Sequence, residues 1–541
     1  MWHGYARPFP HLFVQKDNLN YIGEKPADKY YGNGGSKLAV DAELKVGTTL
    51  KGVTSVRCAE DCREDNNTGV KWNLKVECLK YLKGDVEGLF EIIDNASKYY
   101  FDKYRVNMSS FLTLPSLSLG IFGISFFDSE KYRIKMIKGP LEKYLRDSYY
   151  GGNVQCFAKE NNGEVDEAYH YDLNSQYPNG MVSNVMPVGW LRPPVFATNK
   201  SLDYYSGFVY AKIIPPSENK LKNLYIQYRG NDPKKTITCP RTPFIRWIDT
   251  LELKAALKDG WLRPKADIIC GIDFPDSKKL ESRFLFTDFV EHFFNDKLYA
   301  KDQVARTIAK LILNSLYGKF GQKDIVARIR IVNKETADKL VKKYHYTYFA
   351  EITKDKILIK HSYKLNEKLR RLYEEEEEFI KNDELDYFSK ERGIPSAVHI
   401  SSRISALARV RKLRKLSINI FKNMPGNNLL YSDTDSLVLE KPLPDYLIGK
   451  ELGKWKLEAH IKKGVFIRPK VYYYEDVNGQ IKKVCAGVKA ESLSINDYKK
   501  LGRGEEIQVT MPKIIVEWEK MEIRNVLQKI KLQAGVARSD K

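Results

Sequence analysis

The sequence predicts an α+β protein, and three stretches carry that prediction. Leu429-Leu430, a polar tip and Leu437-Val438-Leu439 read as a β-hairpin. Apolar residues recur at helical spacing from Trp72 to about Tyr104, and again from Phe289 to Phe320. Between them, residues 190–290 mix proline-marked turns with strands and one helix, Trp247 to Leu257.

The chain has 541 residues, room for roughly three to five structural units. A net charge of +21 points to a polyanionic partner, nucleic acid or an anionic membrane surface. No run of 18 apolar residues occurs, so no membrane span is expected. The start, Met1 to Arg7, lacks the basic-then-apolar layout of a secretory signal and is not a clear transit peptide. Seven scattered cysteines read as reduced thiols. Cys58 and Cys62 have metal-like spacing, but no second pair follows them.

Residues 1 to about 70 show no clear periodicity. Within them Asp41-Ala-Glu43 follows apolar Leu38-Ala-Val40, either a surface strand end or an acid pair for exonuclease chemistry. Tyr81 and Asp85, four apart, share a face of the helix that follows. Tyr99, Tyr100, Phe101 and Tyr104 interleave with Lys98 and Lys103, as packing or as a stacking surface. Tyr149-Tyr-Gly-Gly152 follows a basic helical stretch; its glycines form a simple turn or let a phosphate backbone approach main-chain N–H groups.

Ala168 to Asp172 reads as a strand that ends in an acid, and Leu173 to Tyr177 then turns sharply, with Pro178 restraining the exit. On the helix ending at Phe320, Arg306, Lys310, Asn314 and Tyr317 fall within about 80° of one another. Ile308, Leu311, Ile312 and Leu316 take the opposite side, while Leu313 falls beside the polar stripe. Two cations, an amide and a phenol on one stripe suit a triphosphate carrying a sugar and a base. Residues 322–395 are highly charged, and Glu374–Glu378 reads as a solvated helix. Ser405 to Arg409, with Arg411, Lys412, Arg414 and Lys415, forms a basic helix, either solvated or in contact with a phosphate backbone.

Tyr431-Ser-Asp-Thr-Asp-Ser436 is the stretch that organises the rest. Asp433 and Asp435 sit at a hairpin tip, where two carboxylates repel unless a cation lies between them. The tip is a polar turn or a Mg²⁺ site, and Asp172 is the acid best placed to share it. Downstream, Lys470 and Tyr472 are expected on one strand face, and residues 490–541 as a basic, partly helical terminal unit.

Asp172-Leu-Asn-Ser-Gln-Tyr-Pro178, Lys310-Leu-Ile-Leu-Asn-Ser-Leu-Tyr-Gly318 and Tyr431–Ser436 resemble motifs A, B and C of family B DNA polymerases, in order. Tyr149–Gly152, Ser405–Arg409, Leu452–Glu458 and Lys470-Val-Tyr472 resemble elements of the protein-primed branch, with Ser405 where Thr is usual. That resemblance implies a right-hand polymerase with palm, fingers and thumb, two palm insertions and a truncated N-terminal exonuclease remnant. The implied layout is a remnant at 1–140, palm at 141–189 and 396–470, insertions at 190–290 and 331–395, fingers at 291–330 and thumb at 471–541. The first insertion would be a terminal-protein contact.

The resemblance also implies roles. Asp172 and Asp435, with the Leu173 carbonyl, would bind two Mg²⁺ ions (or Mn²⁺), and Asp433 would support them. Leu173, Tyr177, Arg306, Lys310, Asn314 and Tyr317 would line the incoming nucleotide, Tyr177 as a steric gate against ribose. Tyr149, Gly151, Gly152, Ser405, Arg409, Lys470 and Tyr472 would contact DNA. Tyr81 and Asp85 look like the third exonuclease motif, yet only 80 residues precede Tyr81, so a truncated, inactive exonuclease or a fragment of a longer product is expected. The implied activity is DNA-directed DNA synthesis from deoxynucleotides, primed by a terminal protein, on a linear mitochondrial plasmid. Two alternatives are an enzyme that uses ordinary nucleic-acid primers and a decayed nucleic-acid-binding remnant.

Overall fold

A computed structural model describes residues 62–64, 71–137, 139–158, 160–196, 201–215, 226–230, 237–258, 262, 266–322, 327–365, 397–414, 424, 426–517 and 522–533. The chain divides into two compact units. Asp41, Glu43, Cys58 and Glu374–Glu378 lie outside the described residues.

The smaller unit comprises 1–110, 323–394 and 512–528. Its helix Leu74–Tyr104 confirms the periodicity read there, and leaves Leu79, Leu82, Val86 and Phe90 exposed. A three-stranded antiparallel sheet follows, built from Ala327–Asn333, Tyr344–Thr353 and Lys356–Leu365.

The larger unit comprises 111–322, 395–511 and 529–541. In chain order its elements are α1 (Leu114–Ser125), α2 (Gly139–Asp147), β1 (Val154–Cys156), β2 (Ala168–Leu173), α3 (Gln176–Met181), β3 (Arg192–Phe196), β4 (Phe208–Ile213), β5 (Phe244–Asp249) and α4 (Thr250–Lys258). There follow β6 (Asp267–Asp273), α5 (Thr287–Leu298), α6 (Gln303–Phe320), α7 (Val398–Arg414), β7 (Leu429–Asp433), β8 (Ser436–Leu439), β9 (Trp455–Arg468), β10 (Val471–Asp476), β11 (Ile481–Cys485) and α8 (Ile495–Gly502).

An eight-stranded antiparallel sheet runs β11–β10–β9–β2–β8–β7–β1, with a two-residue strand, Glu164–Val165, paired to β9. A four-stranded sheet runs β5–β4–β6–β3. The two share one core: Tyr171, Leu173, Leu437 and Trp455 of the large sheet pack with Val209, Ala211, Phe244 and Ile248 of the small one. Residues 190–290 are therefore an insertion in sequence but part of the same hydrophobic core. Removing that much apolar area from water, at ~25 cal/mol per Å², is what holds the two sheets together.

The structure corrects three local expectations. Trp247 lies on strand β5, and the helix begins only at Thr250. The Phe289–Phe320 stretch contains the expected helix, α6, preceded by α5, and the Asp302 carboxylate caps the Ala305 N–H at 2.8 Å. Leu313 is as deeply buried as Ile312 and Leu316, so the apolar side of α6 is wider than expected. The large sheet runs through the boundary expected at 470, because β10 pairs with β9 and β11 with β10. The C-terminal stretch carries one short helix, α8, and then a strand pair, Ile507–Glu517 and Glu522–Leu532. Among the described residues no helix is long and apolar enough to cross a membrane.

Candidate active site: an acid hairpin between two basic helices

Strand alternation explains why the acids meet. On β2, Ala168, His170 and Asp172 share a parity, and on β7 so do Tyr431 and Asp433. Ala168 and Tyr431 belong to the same buried cluster, so both acids emerge on that face. Register then closes the gap: Ser436 of β8 lies opposite both Asp433 and Asp172. The Leu173 N–H donates to the Asp435 carbonyl at 2.8 Å. Residues more than 250 positions apart thus form one edge, with Lys456 of β9 opposite Asp172 on its other side.

The tip is held from behind. Thr434 adopts a left-handed φ of 34°. Its N–H donates to the Asn153 carbonyl at 3.1 Å, and its own carbonyl accepts from Lys412 Nζ at 3.2 Å. Lys470 Nζ forms an ion pair with Asp433.

The electrostatics are those of crowded carboxylates. Burial, then Asp435 and Glu458, push Asp172 up to about 7, against Lys310 and Lys456. Burial also raises Asp435, with Asp433 adding to it and Lys412 and Lys470 opposing. Lys412 is pushed down to about 8 by burial, against the pull of Asp435, Asp433 and Asp172. Lys297 is lowered to about 8 by burial, then by Arg306 and Lys310; its Nζ donates to Ser175 Oγ at 2.8 Å. Two partly buried carboxylates, both with a raised affinity for protons and one raised in part by the other, are a donor set a hard divalent cation satisfies. Among the described residues, no three His, Cys, Asp or Glu side chains form a ready-made metal cluster. Asp433 is instead paired with Lys470, so Asp172 and Asp435 are the two carboxylates that could hold a cation.

The remaining predicted residues fall into two groups. Around the acids, Arg306 and Lys310 of α6 are exposed, and Asn314 and Tyr317 half-buried. Tyr317 stacks on Tyr177 of α3 with ring centroids 4.1 Å apart and planes 9° apart. Tyr177 and Tyr149 are half-buried, and burial raises both phenols. Leu173 is fully buried and reaches the site only through its main chain. The second group lies elsewhere: Tyr81 and Asp85, one turn apart on Leu74–Tyr104, belong to the smaller unit.

Three residues read as DNA contacts are placed differently. Ser405 and Arg409 are 2% and 3% exposed, on a helix buried almost throughout its described length. Arg409 makes paired bonds to Glu252 of α4, 2.7 Å from Nε and 2.8 Å from Nη2, and also holds the Tyr150 and Gly151 carbonyls. It thus braces the glycine loop from inside and offers no guanidinium to solvent. Lys470 precedes β10 with φ of 60° and does not share a strand face with Tyr472, which is buried. Both still converge on Asp433: Lys470 by charge, and Tyr472 by proximity, its phenol pushed up to about 12 by burial and then by that acid.

Sequence reasoning missed Glu252 and Lys297, gave Lys456 and Glu458 no role beyond the Leu452–Glu458 stretch, and left Lys412 either solvated or on a phosphate backbone, whereas it is buried. Only Lys412 carried a signal: it sits three residues, one helical turn, beyond Arg409.

Within the larger unit, an antiparallel sheet thus carries an acid hairpin beside a cation-bearing helix. A model described as DNA polymerase type B, organellar and viral, matches residues 7–409, and the chain belongs to that family. It is 44% identical over 529 residues to a probable DNA polymerase of Agaricus bitorquis, covering 96% of this chain and 62% of that protein. It is 28% identical to a probable DNA polymerase of Podospora anserina, covering 91% of this chain and 38% of the relative. The chain therefore spans less than two thirds of these relatives' length. A solved Phi29 DNA polymerase, complexed with primer-template DNA and incoming nucleotide substrates, shares the fold at TM-score 0.58 and 17% identity, covering 87% of this chain and 74% of that one.

Proposed function

We propose that this chain carries out template-directed deoxynucleotidyl transfer, as the polymerase part of a DNA-directed DNA polymerase. The observation that carries the reading is the register that sets Asp172 beside the Asp433–Asp435 tip, within electrostatic reach of Lys310. Two divalent cations, Mg²⁺ or Mn²⁺, held by Asp172 and Asp435 would make the primer 3′-hydroxyl nucleophilic and neutralise charge on the leaving pyrophosphate.

The chain's own residues do the positioning. Lys310 and Arg306 give the triphosphate two cations on a rigid helix, which supplies electrostatic preorganisation. The Tyr177–Tyr317 stack fixes a wall beside the sugar, with Tyr177 excluding a ribose 2′-hydroxyl. Asn314 lies one turn from Lys310 on the same stripe. Tyr149, Gly151 and Gly152 would carry template, and Lys470 with Tyr472 the primer end. Lys412 steadies the tip through the Thr434 carbonyl. Residues 141–189 and 396 through β11 would serve as palm, 291–330 as fingers and the chain beyond β11 as thumb. The proposed setting is protein-primed replication of a linear plasmid in mitochondria, in line with the family's organellar and viral description.

Primer extension by the purified chain with Mg²⁺ tests this reading. Asp435→Ala is expected to lower incorporation by about 10³-fold or more, ~4 kcal/mol of transition-state stabilisation. Undiminished synthesis by that variant would end the reading. Transfer of a deoxynucleotide to a protein hydroxyl separates terminal-protein priming from use of ordinary primers.

A further inference from the structure

A cavity of about 410 Å³ opens beside edge strand β5, lined by Asp147, Tyr150, Tyr210, Tyr228, Arg229, Ile245 and Arg246. Arg246 is 2% exposed, and among the described residues its Nε and Nη1 have no hydrogen-bond acceptor. Its remaining nitrogen, Nη2, lies 3.4 Å from Glu252, which already accepts two bonds from Arg409. A buried guanidinium with two unpaired nitrogens carries an uncompensated desolvation cost, so an acceptor from outside the fold is the natural complement.

The aromatic walls are arranged around it. The Arg246 guanidinium lies 4.3 Å from the Tyr150 ring centroid, and that of Arg229 lies 4.9 Å from the same ring. The Arg229 N–H donates to the Tyr150 hydroxyl at 3.0 Å, and its guanidinium donates to the Tyr149 carbonyl at 3.4 Å. Tyr210 and Tyr228 are half-buried and line the same space. Two arginines against one carboxylate, Asp147, leave the lining net positive. The volume falls at the small end of ligand pockets, large enough for one nucleotide and too small for a duplex.

We propose that this cavity takes one nucleotide of a single-stranded nucleic acid, its phosphate on Arg246 and Arg229 and its base against the tyrosines. Cations and stacking rings together are the usual means of gripping single strands. The pocket adjoins the Tyr149–Gly152 loop, so the strand it holds would be template; that identification rests on the polymerase reading, but the binding does not.

The test is binding of a fluorescein-labelled oligothymidylate of about 12 nucleotides to the full chain, read by anisotropy across a salt series. Tyr228→Ala is expected to weaken binding about tenfold, and Arg229→Ala to reduce the slope of log K against log salt by about 0.7. Asp147→Asn is expected to tighten binding, which a merely destabilised variant would not do. Arg246→Lys, checked for folding by its melting temperature, is expected to fall between wild type and Arg229→Ala. Unchanged affinity and slope in Tyr228→Ala and Arg229→Ala would overturn the proposal. An equal loss of polyglutamate binding would also overturn it, in favour of an acidic protein partner. Primer extension run in parallel separates the two readings: a wild-type chain that binds through the pocket but does not synthesise sinks only the polymerase reading.

Discussion

Helices α6 and α7 are both rich in cations, yet the fold uses them in opposite ways. On α6, Arg306 and Lys310 stay exposed beside the acids while Ile312, Leu313 and Leu316 pack inward. On α7, Arg403, Arg409 and Lys412 are each no more than 3% exposed. The difference lies in their neighbours. Strand β5 and helix α4 bring Asp249 to Arg403 and Glu252 to Arg409, and the hairpin brings the Thr434 carbonyl to Lys412. Even those acids differ. Burial leaves Asp249 raised because Arg403 is its main counter-charge, whereas Glu252 is held low against burial by both Arg409 and Arg246. A run of Lys and Arg therefore does not reveal whether a helix is a binding surface or a spine; the placement of distant carboxylates does.

The comparison can be broken most severely at Arg409. Arg409→Ala leaves Glu252 buried with its main partner gone and should cost about 3–5 kcal/mol in chemical denaturation. A loss below about 1 kcal/mol would mean α7 is not a spine. Lys310→Ala is expected to be the mirror image: stability within about 0.5 kcal/mol of wild type, but kcat/KM for the incoming nucleotide lower by roughly 10- to 100-fold, ~1.4–2.7 kcal/mol. Equal effects on stability and activity would erase the contrast.

A subtler test uses Asp172, which feels Lys310 of α6 and is felt by Lys412 of α7. Its folded pKa is raised to about 7, above the unfolded value of about 3.9. The native state thus binds more protons between those values, and stability falls as pH rises from about 4 to about 7. In chelator-treated protein, Asp172→Asn should remove that fall and add roughly 1–2 kcal/mol at neutral pH, allowing for solvent screening of a part-exposed group. Thermal melts at several pH values check it, and an unchanged pH profile would refute the crowding of the acids. The smallest expected effect is at Arg306, whose guanidinium bond to the Lys297 carbonyl is 3.5 Å long. Arg306→Ala should shift stability by no more than about 0.5 kcal/mol.

The site was legible wherever chemistry and local pattern coincided. The apolar flanks of Asp433 and Asp435 announced the hairpin, and the Arg306–Tyr317 stripe announced the polar face of α6. Features set by long-range pairing were not legible. Nothing local shows that Val471–Asp476 continues the sheet, because that depends on its partner β9. Trp247-Ile-Asp-Thr-Leu mimics helical spacing, and only pairing with β4 makes its first part a strand. The left-handed φ at Lys470, neither Gly nor Asn, has no sequence signature, so its side chain was assigned to the wrong face.

Gly152 has no side chain where the Thr434 methyl and hydroxyl sit, and any Cβ added there would collide with them. The glycine loop and the acid turn are thus a matched pair, like a key cut to one lock. A hybrid enzyme that imports one of these segments from a distant relative must import the other, or it will misalign the carboxylates it was meant to preserve.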